Sequence, residues 1–156
     1  MQVDLDKLSS ATCKASHWFL QAKHRGAFVL NFIQTNLNMK FDKAIPILYS
    51  QDVSKSITYF IEQLKFENKW EWENPPTFGG VYRDNVEIFF CKDHQGSPAT
   101  WLSLVVDNVD EYYELIKESG AKILSSPDSK EWNMREMLVE CPDGHIIRFG
   151  HNTSCD

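Results

Sequence analysis

No apolar run in this 156-residue chain approaches the ~18–20 residues that a membrane-spanning helix needs. A soluble protein with no membrane partner is therefore expected. The start MQVDLDKLSS is polar and acidic, so no secretory leader is expected. The four cysteines, Cys13, Cys91, Cys141 and Cys155, form no CxxC pair, so reduced thiols in a cytoplasm are expected. HxH, HExxH, GxSxG, a Walker loop and GxGxxG are all missing, and the five histidines are scattered. A basic surplus is missing too. Residues 1–43 carry six Lys/Arg against three Asp/Glu, whereas residues 44–156 carry ten against nineteen, a net charge of −9. That balance argues against a nucleic-acid partner and suits a cationic or neutral ligand.

What is present is a duplication. Trp101–Val106 is a short run of apolar, aromatic and β-branched residues that reads as a strand. Val109, Tyr112 and Ile116 then fall at helical spacing, with Asp107 or Asn108 as cap and Gly120 as stop. The same order occurs earlier. A strand at Ile45–Tyr49 is followed by Asp52 as cap and by Ile57, Ile61 and Leu64 as a helical stripe over 54–64. Each copy has a tyrosine mid-helix, Tyr59 and Tyr112.

Strand-like sequence completes both halves. In the first, Phe66–Glu73 precedes a hairpin of Phe78–Arg83 and Val86–Cys91 turning at Asp84-Asn85. In the second, a short strand at Lys122–Leu124 and a loop through Pro127–Asn133 precede a hairpin of Arg135–Glu140 and His145–Gly150. The fold class expected is α+β: two tandem βαβββ modules, about 44–92 and 99–151, forming a curved mixed sheet with a concave cavity. Residues 1–43 stand outside the duplication as a mainly helical extension, its stripe running over about 10–37, and 152–156 form a tail.

Two-residue alternation sorts the strand faces. Val86, Ile88 and Phe90 oppose Glu87, Phe89 and Cys91; Leu102, Leu104 and Val106 oppose Trp101, Ser103 and Val105; Ile147 and Phe149 oppose Ile146, Arg148 and Gly150. The all-apolar sets should face the helices, leaving Glu87, Phe89, Trp101, Ser103 and Arg148 on the open concave side. There Glu87 and Arg148 are solvated face positions, partners in an ion pair, or ligand contacts. An indole on such a face stacks well on planar ligands. Gly79-Gly80, between strand residues, suggests close backbone approach or a bulge.

These modules, with the motifs DNVDEYYE, EWNMREMLVECPDGHIIRFG and FGGVYRDNVEIFF, resemble the vicinal oxygen chelate superfamily of glyoxalase I, ring-cleaving dioxygenases and bleomycin-resistance proteins. The resemblance covers about residues 44–151 and is nearest the bleomycin-resistance branch. Metal-dependent members place one ligand on the first and last strand of each module, positions that match Ile45, Glu87, Trp101 and Arg148 here. Only Glu87 is a ligand type, so no metal or other cofactor and no catalytic residue is expected. The metal-free branch implies a homodimer whose interface crevices sequester a planar aromatic cation, with Trp101 and Trp132 matching its stacking tryptophans. Asn133 replaces a usual glycine. The reading is thus a metal-independent binding protein of the bleomycin-type antibiotic-resistance kind, its site made of Trp101, Trp132, Glu87, Arg148, Ser103 and Phe89. The alternative is an enzyme of the same superfamily, a glyoxalase- or dioxygenase-like lyase or oxidoreductase with a degenerate or relocated metal site.

Overall fold

A computed structural model of the chain describes residues 40–154. The helices expected over about 10–37, together with Cys13 and Cys155, lie outside them. Within the compact unit that begins at Ala44, the first module runs β1 (Ile47–Tyr49), α1 (Val53–Glu62), β2 (Glu67–Trp72), β3 (Phe78–Arg83) and β4 (Val86–Cys91). The second runs β5 (Trp101–Val105), α2 (Val109–Ile116), β6 (Lys122–Ser129), β7 (Met134–Glu140) and β8 (Ile146–Asn152), with a 3-10 turn at Pro142–Gly144 before β8. No described helix is long and apolar enough to cross a membrane.

Local chemistry explains the boundaries. Asp52 caps α1 by accepting from the Lys55 amide at 3.1 Å, and Asn108 caps α2 by accepting from the Asp110 and Glu111 amides. Strand β1 starts at Ile47, two residues later than expected, because Pro46 has no N–H to give a ladder; its carbonyl still accepts from the Phe89 amide. Strand β6 is longer than expected and continues through Pro127 to Ser129. A proline is tolerated there because β6 is the edge of its sheet. Its pairing with β7 slips at Ile123/Ser125 and again at Ser125/Asp128, so the bulges absorb the loop-like Ser-Ser-Pro-Asp sequence.

The expected mixed sheet is realised as two four-stranded sheets with one topology used twice. The orders are β1-β4-β3-β2 and β5-β8-β7-β6, with the first strand of each module parallel to its last. Alternation assigned the faces correctly. Leu48, Val81, Ile88 and Phe90 lie under Val53, Ile57 and Phe60 of α1, and Leu104, Ile147 and Phe149 lie with Val109 and Ile116 of α2, all in one buried cluster. Gly79 allows α1 to approach: a Cβ there would stand 2.8 Å from Ile57 Cδ1.

The two mid-helix tyrosines lock the modules together reciprocally. Tyr59 of α1 donates to the Glu140 carbonyl at 2.9 Å, and Tyr112 of α2 donates to the Leu64 carbonyl at 2.8 Å. His145 adds a third tie. Its Nδ1 accepts from the Thr100 amide at 3.1 Å, which leaves Nε2–H to donate to the Tyr49 carbonyl at 2.8 Å. Burial is the main cause that pushes the Tyr59 phenol up to about 12 and the Tyr112 phenol higher still. A phenol whose folded pKa is raised contributes stability that is whole below the unfolded value near 10 and is lost as pH rises through the folded value. Urea unfolding between pH 9 and 12 is therefore expected to lose at most about 1.4 kcal/mol per pH unit per tyrosine. The loss is smaller for half-buried Tyr59, which water screens. The Tyr59→Phe/Tyr112→Phe protein should be weaker at pH 7 but flatter above pH 10; parallel curves would contradict the lock.

Candidate ligand-binding site

On the open face of the second module, Trp101 and Ser103 project from edge strand β5, and Ser103 stands opposite Arg148 of β8. The guanidinium donates to Ser103 Oγ from both Nε and Nη2 at 3.2 Å. Its Nη1 lies 3.7 Å from Glu136 Oε1 of β7. The same Glu136 oxygen accepts from Trp132 Nε1 at 3.0 Å. A chain of contacts thus links Ser103, Arg148, Glu136 and Trp132, with Trp101 two residues from Ser103 on the same strand face. Glu136 is 6% exposed, whereas Trp101 and Trp132 are 65% and 61% exposed. The buried carboxylate holds one indole by its edge and leaves the ring open to solvent, a geometry suited to stacking.

Two sequence features set this face. Asn133 has φ +60°, the left-handed region that glycine enters freely and asparagine tolerates better than most other residues. Its carbonyl accepts from the Thr153 amide at 2.8 Å, tying the Trp132 loop to the end of β8. Beneath, Arg135 forms a bidentate pair with Asp110, both contacts 2.6 Å, which joins β7 to the first turn of α2. Hydrogen bonding to Arg135 holds the Asp110 carboxyl below its ordinary range.

Glu87 and Phe89 lie elsewhere, on β4 of the first module. Phe89 belongs to an aromatic cluster absent from the sequence-based site: Trp70 and Phe78 meet it edge-on, with ring centroids 5.1 and 5.6 Å away. Gly80 makes room for the cluster, since a Cβ there would stand 2.7 Å from the Phe89 ring. Glu87 is buried and stands opposite Tyr82 of β3. The carboxylate facing Arg148 is therefore Glu136, not Glu87. Alternation applied to β7 puts Glu136 on one face with Leu138 and Glu140, but does not say that this face meets Arg148.

The donor set does not fit a metal centre at the positions that the resemblance implies. Ile45 and Trp101 offer no donor, and Arg148 brings a positive charge bonded to Ser103. Among the described residues, no three His, Cys, Asp or Glu side chains gather as ligands do.

Residues 40–149 match the model of the Glyoxalase/Bleomycin resistance protein/Dioxygenase superfamily. None of the curated proteins matches the sequence. Among solved structures, a glyoxalase/bleomycin resistance protein/dioxygenase from Nocardioides is similar at TM-score 0.63 and 13% identity, over 83% of this chain and 96% of that one. TioX from Micromonospora sp. ML1 is similar at TM-score 0.65 and 16% identity, over 72% and 99%. A bleomycin resistance determinant encoded on the transposon Tn5 is similar at TM-score 0.61 and 22% identity, over 73% and 100%. At these identities the structural likeness establishes the fold.

Proposed function

The chain belongs to the Glyoxalase/Bleomycin resistance protein/Dioxygenase superfamily, and from that premise we propose that it is a metal-independent binding protein that sequesters a planar aromatic cation of the bleomycin type. The observation that carries this reading is the pair of open indoles, Trp101 and Trp132, on one face, one of them fixed through its N–H by buried Glu136. Stacking on an indole contributes about 0.5–1.5 kcal/mol beyond area burial, and a cationic ligand gains cation–π attraction as well. The net charge of −9 on residues 44–156 favours the approach of a cation at low salt. Glu87 and Phe89 supply a second, aromatic-lined face of the same protomer.

The reading includes a homodimer, because Ile47, Trp72, Trp101 and Val105 leave apolar surface exposed on the protomer. It also places the protein in the cytoplasm. Cys91 and Cys141 are unpaired and buried, and burial pushes the Cys141 thiol far up, which keeps it inert.

Titration with bleomycin, followed by intrinsic tryptophan fluorescence at low salt, tests the reading. Saturable quenching is expected, together with a dimer mass by light scattering. Trp101→Ala and Trp132→Ala should each raise Kd about tenfold or more, the equivalent of about 1.4 kcal/mol. An absence of quenching, or parental affinity in both variants, would mean that the indoles do not hold the ligand.

A further inference from the structure

The internal duplication creates two related clefts where the modules meet. Each lies between the hairpin turn of one module and the start of the other module's helix. One cleft, of about 600 Å³, joins the turn at Cys141–Asp143 to Asp52 and Lys55 of the first module. The other, of about 590 Å³, joins the turn at Asp84-Asn85 to the segment Leu104–Asn108 and to α2. Both volumes are within the range of small-molecule sites. Their linings have diverged.

The first cleft is polar and closer to neutral: Lys55 and Lys122 stand among Asp52, Glu140 and Asp143, and Lys122 is paired with Glu140 at 2.7 Å. In the second, Phe66, Leu104 and Leu115 form apolar walls, with Asp84, Asp107 and Glu111 on the rim. Among the described residues of that lining Arg83 is the one cation. Its Nε lies 3.8 Å from Asp84 Oδ2, and the guanidinium stands 5.1 Å from the centre of the Tyr112 ring and donates to the Leu64 and Lys65 carbonyls. Asp107 and Glu111 are left as the acidic excess, and the start of α2 offsets only about half a charge of it. Its first amides are already taken by His151 and Asn108. Leu115, 49% exposed, gives an apolar ligand body something to cover.

We propose that this second cleft is a binding site, separate from the tryptophan face, for an amphipathic organic cation: an amine or quaternary ammonium on an aliphatic body. The walls take the body, and Asp107 and Glu111 face the charge. The polar cleft related to it by the duplication lacks the apolar walls, has a smaller acidic excess and, among the described residues, a free Lys55 in its lining, and takes no such ligand.

Octyltrimethylammonium, kept below its micelle concentration, is a suitable probe: it has no ring to stack, and its cation–π attraction to an exposed indole is told apart by where the shifts fall. Titrated into ¹⁵N-labelled full-length protein, it should shift the amides of 83–86 and 104–115 saturably and leave those of 51–55 and 140–143 in place. Asp107→Asn/Glu111→Gln, which keeps side-chain size and the Glu111 contact to Asn108, should weaken binding at least fivefold. Trp101→Ala should bind the probe like the parent. Three results would overturn the proposal: no shift at 83–86 and 104–115 because a second copy of the chain covers the cleft, equal affinity in the charge-removed variant, or shifts confined to the tryptophan face. The last would leave the sequestration reading intact, since that reading is tested by the indole variants.

Discussion

Phe60→Ala is expected to lower the unfolding free energy by about 3–5 kcal/mol, the usual loss when a buried phenylalanine is truncated. Phe60 is 1% exposed and lies between α1 and the sheet of the first module. Its ring meets Phe90 and Phe66 edge-on, with centroids 4.9 and 5.5 Å away. Removing it deletes both ring contacts and leaves a void that α1 cannot close, because Asp52, capping the helix, and Tyr59, bonded across the module junction, hold it in place. For a chain of this size the melting temperature should fall by roughly 10 °C. Urea unfolding at pH 7 measures the effect, and Phe60→Leu should cost much less. A loss below about 1 kcal/mol for the alanine variant would mean that the first module is not packed around this ring.

Glu136 and Arg148 are expected to shift ligand affinity in opposite directions. Glu136→Ala removes the acceptor that holds the Trp132 indole and the negative charge beside Arg148. A planar cation then meets a loose ring and an uncompensated guanidinium, and Kd should rise tenfold or more, about 1.4 kcal/mol. Glu136→Gln keeps an oxygen for the indole, so its loss should be smaller and mainly electrostatic. Arg148→Ala leaves Glu136 facing the ligand and should tighten binding of the cation. Losing Glu136 costs the fold little, since the Arg148 side chain is 44% exposed and water can replace the carboxylate. Losing Arg148 costs more, because the buried Glu136 carboxylate keeps only the Trp132 N–H among the described residues. Calorimetric titration of the three variants decides: a cation that binds more weakly to Arg148→Ala would remove the charge argument.

Much of this architecture is legible in the chain itself. The cap at Asp52, a second cap at Asp107 or Asn108 (Asn108 in the structure), the hairpin of 78–83 and 86–91, and the buried faces of β4, β5 and β8 follow from local residue chemistry and two-residue alternation. Strand β6 was harder to read because Ser125-Ser126-Pro127-Asp128 has turn chemistry, and only pairing with β7 across two bulges holds it in the sheet. The partner of Arg148 was out of reach for a related reason. Alternation tells which face a residue occupies, but not which strand lies next to it or in what register. Glu87 and Arg148 stand in different sheets, whereas Glu136 is on the neighbouring strand, diagonal to Arg148. The Trp70–Phe78–Phe89 cluster depends on register as well, since it gathers over Gly80 from three strands. The reciprocal bonds of Tyr59 and Tyr112 give the repeated mid-helix tyrosine one role in both halves: each joins one module to the other.

The claim that the tryptophan face of the second module holds the ligand is tested most directly by indole N–H resonances of the ¹⁵N-tryptophan-labelled protein during titration with bleomycin. Those of Trp101 and Trp132, assigned through their alanine variants, should shift and saturate together. The Trp132 signal should report disturbance of its bond to Glu136, while Trp70, half-buried in its own aromatic cluster, should follow only if the ligand also spans the first module. Saturation with the Trp101 and Trp132 resonances unmoved would contradict the account.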